Sequence, residues 1–253
     1  MNTYIHYKTF DINQLHIVAK IHNNKERISM YYGPKMQSLS FLTPPALTWF
    51  PRVTGQGDFG SPYGPDSVEK ARFTLDMNNF DESHPMASEF QQETKMFLQM
   101  VEAIDNALLD FMFGNQLKWL GRKNLSREEV KLFQILSVKT PINKDTGMER
   151  EKRLEMKRRM FINNQEQKIN ICDMNGKVAP NGEVHGGDIV CATMHVGSIY
   201  NGVGGDKFGI AWELEDVQVV CQVQHQKQKE NVNVFQNNIS SSMAHEYTTA
   251  STY

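Results

Sequence analysis

Cysteine is scarce in this chain of 253 residues, long apolar runs are missing, and no catalytic signature stands out. Three cysteines, Cys172, Cys191 and Cys221, cannot build the disulfide framework of a small secreted scaffold, and the odd number leaves one unpaired. A reducing, intracellular setting is the expectation. No stretch approaches the ~20 uncharged apolar residues of a membrane helix, so no membrane association is expected. Residues 1–10 mix polar and aromatic side chains without the apolar core of a signal peptide. The eight histidines (His6, His16, His22, His84, His185, His195, His225 and His245) never fall with cysteines or carboxylates at metal-ligand spacing, so no metal is expected. Cys191 and His195 lie four apart, but on a strand that spacing shares a face without making a site. There is no glycine loop followed by Lys-Ser/Thr and no nucleophile elbow. Gly202-Val203-Gly204-Gly205 leads into a strand pattern, so it lacks the helix N-terminus that anion binding requires and reads as a tight turn. Neither an enzyme activity nor a cofactor is expected.

What is present is ordinary in bulk and uneven in distribution. At this length roughly 70–75% of the unfolded surface can be hidden, enough for a substantial core. The net charge is only −2. Between residues 117 and 160, however, 13 Lys and Arg face 6 Asp and Glu, a local +7, against −9 for the rest. A basic block inside an acidic chain is a candidate footprint for a polyanion, and a solvated charged loop is the alternative.

Periodicity organises the chain into strands, one long helix, and strands again. Residues 14–22, 27–32 and 71–77 read as strands, and 38–50 as a strand pattern broken by Pro44-Pro45. Residues 55–65, with four glycines and two prolines, read as a turn cluster or loop. From residue 87 to 113, Phe90, Phe97, Val101, Ile104, Leu108 and Phe111 recur at helical spacing, with Ser88 as the expected N-cap and Gly114 as the terminator. Ser126-Arg127-Glu128-Glu129 is a capping-box pattern that opens a shorter helix over 126–134. Strands follow over 167–173, 188–195 and 207–223. In the last, Phe208, Ile210, Trp212 and Leu214 share one parity and Val217, Val219 and Cys221 the other, which predicts a bulge near Glu215-Asp216. Residues 223–253 are polar and rich in Gln, Asn, Ser and Thr, and the expectation there is a disordered tail.

Binding chemistry is better represented than catalysis. Leu117-Lys118-Trp119-Leu120-Gly121-Arg122-Lys123 sets an indole among three cations just after the long helix, and Thr48-Trp49-Phe50-Pro51-Arg52 sets two aromatics beside an arginine. Tyr200 lies in glycine-rich sequence, Lys207 follows the same turn, and Lys139, Arg158 and Arg159 continue the basic block. Single-stranded nucleic acid is held in this way, with aromatic faces stacking bases and cations tracking phosphates. Tryptophans in the positions of Trp49 and Trp119 are more often core anchors, and surface lysines are common. The candidate contacts are therefore Trp49, Phe50, Arg52, Lys118, Trp119, Arg122, Lys123, Lys139, Arg158, Arg159, Tyr200 and Lys207.

Residues 200–220, from Tyr200-Asn201-Gly202 to Gln218-Val219-Val220, resemble the closing strand of OB-fold single-stranded DNA-binding proteins of nucleocytoplasmic large DNA viruses. That group is itself similar to the phage T-seven-type single-stranded DNA-binding protein. Leu42-Thr43-Pro44-Pro45, a helix inserted mid-barrel, and Gly187-Asp188-Ile189-Val190 support the resemblance, which spans residues 36–222. It implies a mainly β fold with one long helix, an OB-like barrel with elaborated loops, an N-terminal β extension over 1–35 and a polar tail over 223–253. It also implies sequence-independent single-stranded DNA binding in replication, recombination or repair, a homo-oligomer, no catalysis, and for a virus-encoded protein a viral factory in the host cytoplasm or nucleus. Relatives recruit replication proteins through an acidic tail with a terminal aromatic. This tail keeps Tyr253 but has only Glu230 and Glu246 as acids, against Lys227 and Lys229. RNA fits the same chemistry as DNA. A viral structural or assembly protein, and an enzyme whose site leaves no sequence signature, remain the rival readings.

Overall fold

The computed structural model describes residues 4–22, 25–50, 53–54, 72–77, 87–158, 161–162, 165–166, 169–173, 175–178, 183–184, 186–201 and 207–221. The expected loop over 55–65 and the tail over 223–253 lie outside the described residues. Two 3-10 turns lead into β1 (Leu15–His22) and β2 (Lys25–Tyr32), an antiparallel hairpin that β3 (Gln37–Ser38) extends to three strands. Proline cannot donate to a ladder, so Pro44-Pro45 divides the next segment into β4 (Ser40–Leu42) and β5 (Ala46–Phe50). β6 (Val53–Thr54) and β7 (Arg72–Asp76) precede α1 (Ala87–Gly114), α2 (Gln116–Leu120) and α3 (Arg127–Lys131). Then come β8 (Gln134–Ile135), β9 (Val138–Lys139), β10 (Arg153–Arg158), β11 (Phe161–Ile162), β12 (Gln165–Glu166), β13 (Asn170–Cys172), β14 (Glu183–Val184), β15 (Ile189–Asn201) and β16 (Phe208–Cys221).

Five of these strands close on themselves. β5 pairs with β7, β7 with β10, β10 with β16, β16 with β15, and β15 returns to β5. Only the β10–β16 contact is parallel. Numbered along the chain, the ring runs first, second, third, fifth, fourth: the Greek-key closure of an OB-like barrel. Its interior is filled from four of its five walls by Phe73, Leu75, Leu154, Met156, Val190, Met194, Phe208 and Leu214, all fully buried. Trp212 is 2% exposed and meets the Phe41 ring edge-on at 6.1 Å between centroids. α1 joins the same core through Phe97, Val101, Ile104 and Leu108, the stripe set by its spacing. Among the described residues, no helix is long and apolar enough to cross a membrane.

The bulge falls where the change of parity puts it. Thr193 pairs with Asp216 and Met194 with Leu214, which leaves Glu215 unopposed and returns Val217 and Val219 to the core. Two local expectations are corrected, and one strand was not anticipated. The charged segment Arg153–Arg158 is a barrel strand, β10, because Leu154 and Met156 alternate with its charges and are fully buried. The helix expected over 126–134 stops at Lys131: Leu132 is 80% exposed, and the Phe133 carbonyl accepts a strand-type bond from the Phe208 N–H at 2.9 Å. Ser88 lies already inside α1, whose first residue is Ala87.

Candidate nucleic-acid interface

β10 reads Arg-Leu-Glu-Met-Lys-Arg, and strand alternation carries Glu155 and Lys157 on the outer wall once Leu154 and Met156 point inward. On neighbouring β16, Phe208, Ile210 and Trp212 share the inward parity, and Gly209, Ala211 and Glu213 the outward one. The other edge of β16 is covered in instalments. Phe208 and Gly209 pair with Gln134 and Ile135 of β8, and pairing with β10 begins at Glu213↔Lys157. In the interval lies a groove of about 310 Å³, whose lining includes Ile135, Leu136, Ser137, Lys139, Glu155, Lys157, Tyr200, Ile210, Ala211 and Trp212.

Tyr200 is placed there by a glycine. It stands opposite Gly209 in the β15–β16 ladder, and a Cβ on Gly209 would lie 2.5 Å from the Tyr200 Oη and 2.7 Å from the Ile135 carbonyl oxygen. Only a residue without a side chain lets the ring approach so closely. Tyr200 is half-buried, and burial first, then Asp105, raises its phenol pKa, so it is a neutral hydroxyl.

Buried Asp105 of α1 anchors Ser137, which lines the groove. The Ser137 N–H donates to Asp105 Oδ2 at 2.9 Å and the Ser137 hydroxyl to Oδ1 at 2.7 Å, while the Gln134 amide donates to the Asp105 carbonyl at 2.7 Å. Burial pushes the carboxyl up to about 6, with the two Ser137 bonds opposing the rise. Above that pH it is an ion fixing the β8–β9 connection.

The cationic turn after α1 docks beside the ends of β15 and β16. α2 ends at Gly121 in the left-handed region, φ 65°. The Asn201 amide donates to the Trp119 carbonyl at 2.5 Å, and the Phe208–Phe133 bond fixes the other strand. Trp119 is half-buried against the core, and its indole N–H is buried with no acceptor among the described residues. Lys118 lies 2.6 Å from Glu26 and 5.3 Å from the Trp119 ring centre. Arg122 sits 4.5 Å above the Phe133 ring, and Lys123 and Lys207 are exposed. Lys139 lies 2.5 Å from Glu155. The Lys118 and Lys139 pairs are solvent-exposed, and such ion pairs contribute about 0–1 kcal/mol, so a phosphate oxygen can replace the carboxylate at little loss.

Of the candidates, Lys139 and Tyr200 thus share one groove; Trp119 and Arg122 meet Asn201 and Phe133 beside the ends of β15 and β16, Lys207 directly precedes β16, Lys118 turns to Glu26, and Lys123 is exposed. Trp49 and Phe50 end β5, but their side chains, that of Arg158, and Arg52 and Arg159 altogether lie outside the described residues. Lys157, Asp105 and Ser137 belong to the site and were not anticipated. The alternation of β10 carries the signal for Lys157. For Asp105 the signal is a carboxylate on the buried stripe, next to Ile104.

No protein-family model matches the chain, and no curated protein sequence matches it. Among solved structures, gp2.5, a single-stranded DNA-binding protein encoded by bacteriophage T7, aligns at a TM-score of 0.42 and 12% identity, covering 73% of this chain and 93% of that one. The single-stranded DNA-binding protein from bacteriophage Enc34 aligns as a C-terminal truncation at 0.39 and 11% identity, covering 84% and 98%. In complex with single-stranded DNA it aligns at 0.37 and 11%, covering 83% and 97%. Likeness this distant assigns no function.

Proposed function

We propose that this protein binds single-stranded DNA without reading its sequence and without catalysis. The observation that carries the reading is the convergence on one barrel wall of a half-buried tyrosine, Tyr200, and two lysines, Lys139 and Lys157, beside a cationic turn held to the same hairpin by Asn201. A single strand offers what this wall can use: phosphates for Lys118, Arg122, Lys123, Lys139, Lys157 and Lys207, and unpaired bases for Tyr200. A duplex keeps its base faces stacked and offers only the phosphates. Service in replication, recombination or repair, kinship with proteins of large DNA viruses, a homo-oligomer, and replication partners recruited by residues 223–253 extend the same proposal.

Fluorescence anisotropy with labelled single-stranded DNA, duplex DNA and RNA at two salt concentrations tests it. Single strands should bind more tightly than duplex, and their affinity should fall steeply with salt, about 0.7 log units per log unit of salt for each neutralised phosphate. Absence of single-strand binding at low salt would refute the reading and favour an assembly protein.

A further inference from the structure

The interval in the barrel wall has features that phosphate binding does not use. The Phe208 N–H donates towards β8, so strand alternation turns the main-chain groups of Ile210 and Trp212 to the same edge. Ladder pairing with β8 ends at Gly209↔Ile135 and pairing with β10 begins at Glu213↔Lys157, and because parallel ladder bonds are made by the residues flanking a paired position, the Ile210 carbonyl and the Trp212 N–H are the main-chain groups left between the two ladders. Trp212 borders the groove along its strand edge, with its ring turned inward to the barrel core against Phe41. Ile135, Leu136, Ile210 and Ala211 make the walls apolar, and Lys139 and Lys157 make the rim cationic, with Glu155 as the acid among them.

We infer that this interval takes one nucleobase of the bound strand, turned edge-first against β16. The inference rests on the single-strand reading and deepens it. A base is the ligand whose chemistry matches: flat apolar faces for the four aliphatic walls, an edge of donors and acceptors for the carbonyl and N–H of the strand edge, and a phosphate on either side for the rim lysines. The volume of about 310 Å³ lies at the lower end of the range for small-molecule sites, suited to a base and too small for an extended segment of strand. Because an edge is hydrogen-bonded, the bases are not equivalent. The site therefore superimposes a modest base preference on binding that is otherwise blind to sequence. A free nucleotide presents the same edge, and competition separates it from a base held within a strand.

The test measures the affinity of the full chain for four homopolymeric oligodeoxynucleotides and for an abasic strand of equal length, with deoxynucleoside monophosphates as competitors. The expected result is a spread among homopolymers of about three- to tenfold, the worth of one net hydrogen bond, with the abasic strand weaker than all. Millimolar mononucleotide should leave strand binding unchanged, since it lacks the flanking phosphates. Ala211→Leu, which fills the groove, should bring the homopolymers to within about twofold while leaving the salt slope as it was. Equal binding of abasic and homopolymeric strands, with the salt slope intact, would overturn the base site and leave the single-strand reading standing. That comparison needs no variant. Displacement of the strand by mononucleotide would assign the groove to a free nucleotide instead, and absence of single-strand binding would remove both conclusions.

Discussion

Trp212 and Asp105 show how single side chains hold the wall in place. Trp212 fills the barrel interior against Phe41, so Trp212→Ala removes a large buried ring and leaves a cavity. The expected loss is about 3–5 kcal/mol in a denaturant titration; a variant with an unchanged midpoint would mean that the ring lies outside the core. For Asp105 the sign follows from its two titrations. The native carboxyl titrates near about 6 and an unperturbed one near 3.8. Between these values the native state keeps the proton and the unfolded state has lost it, so the Asp105 contribution declines as pH rises from about 4 to about 6 and is level above that. A gap of about two units bounds the effect at about 3 kcal/mol. Asp105→Asn abolishes the titration and can still accept from the Ser137 N–H while donating to its hydroxyl. In urea unfolding from pH 4 to 7, the variant should gain on the native protein as pH rises and be the more stable at pH 7. A variant less stable at pH 7 would show that the ionic hydrogen bonds outweigh burial of the charge.

At the scale of elements, β16 ties the site together, since β8, β10, β13 and β15 all pair with it. Gly209 is its point of closest approach. Gly209→Ala forces a Cβ against the Tyr200 hydroxyl and the Ile135 carbonyl, so it should cost about 1–3 kcal/mol in stability and weaken single-strand binding by displacing Tyr200. Unchanged values in both measurements would separate Tyr200 from the interface. The same elements show which structure is legible in sequence. The α1 stripe and the two parities of β16 are long periodic signals, and periodicity survives tertiary packing. β10 escaped because four charges in six residues mask the alternation of Leu154 and Met156. β8 and β9 are two residues each, too short for a local pattern, and exist because β16 and β10 offer edges to pair with. Lys157 was hidden with β10.

Over the whole molecule, the basic block of residues 117–160 supplies both sides of the proposed interface: Lys118, Arg122 and Lys123 in and after α2, and Lys139 and Lys157 in the groove. Their cooperation depends on a closure between residues far apart in sequence, which no local pattern records; the charge count marks the block and the barrel brings its ends together. The net charge of −2 conceals this, because the remaining chain carries the excess of acids. The most direct measurement of the central claim is the slope of log affinity for single-stranded DNA against log salt, taken for the native protein and for Lys139→Ala/Lys157→Ala. The account predicts weaker binding to every sequence and a slope reduced in magnitude by as much as about 1.4, two phosphate contacts at about 0.7 each. A double variant with the affinity and slope of the native protein would contradict it.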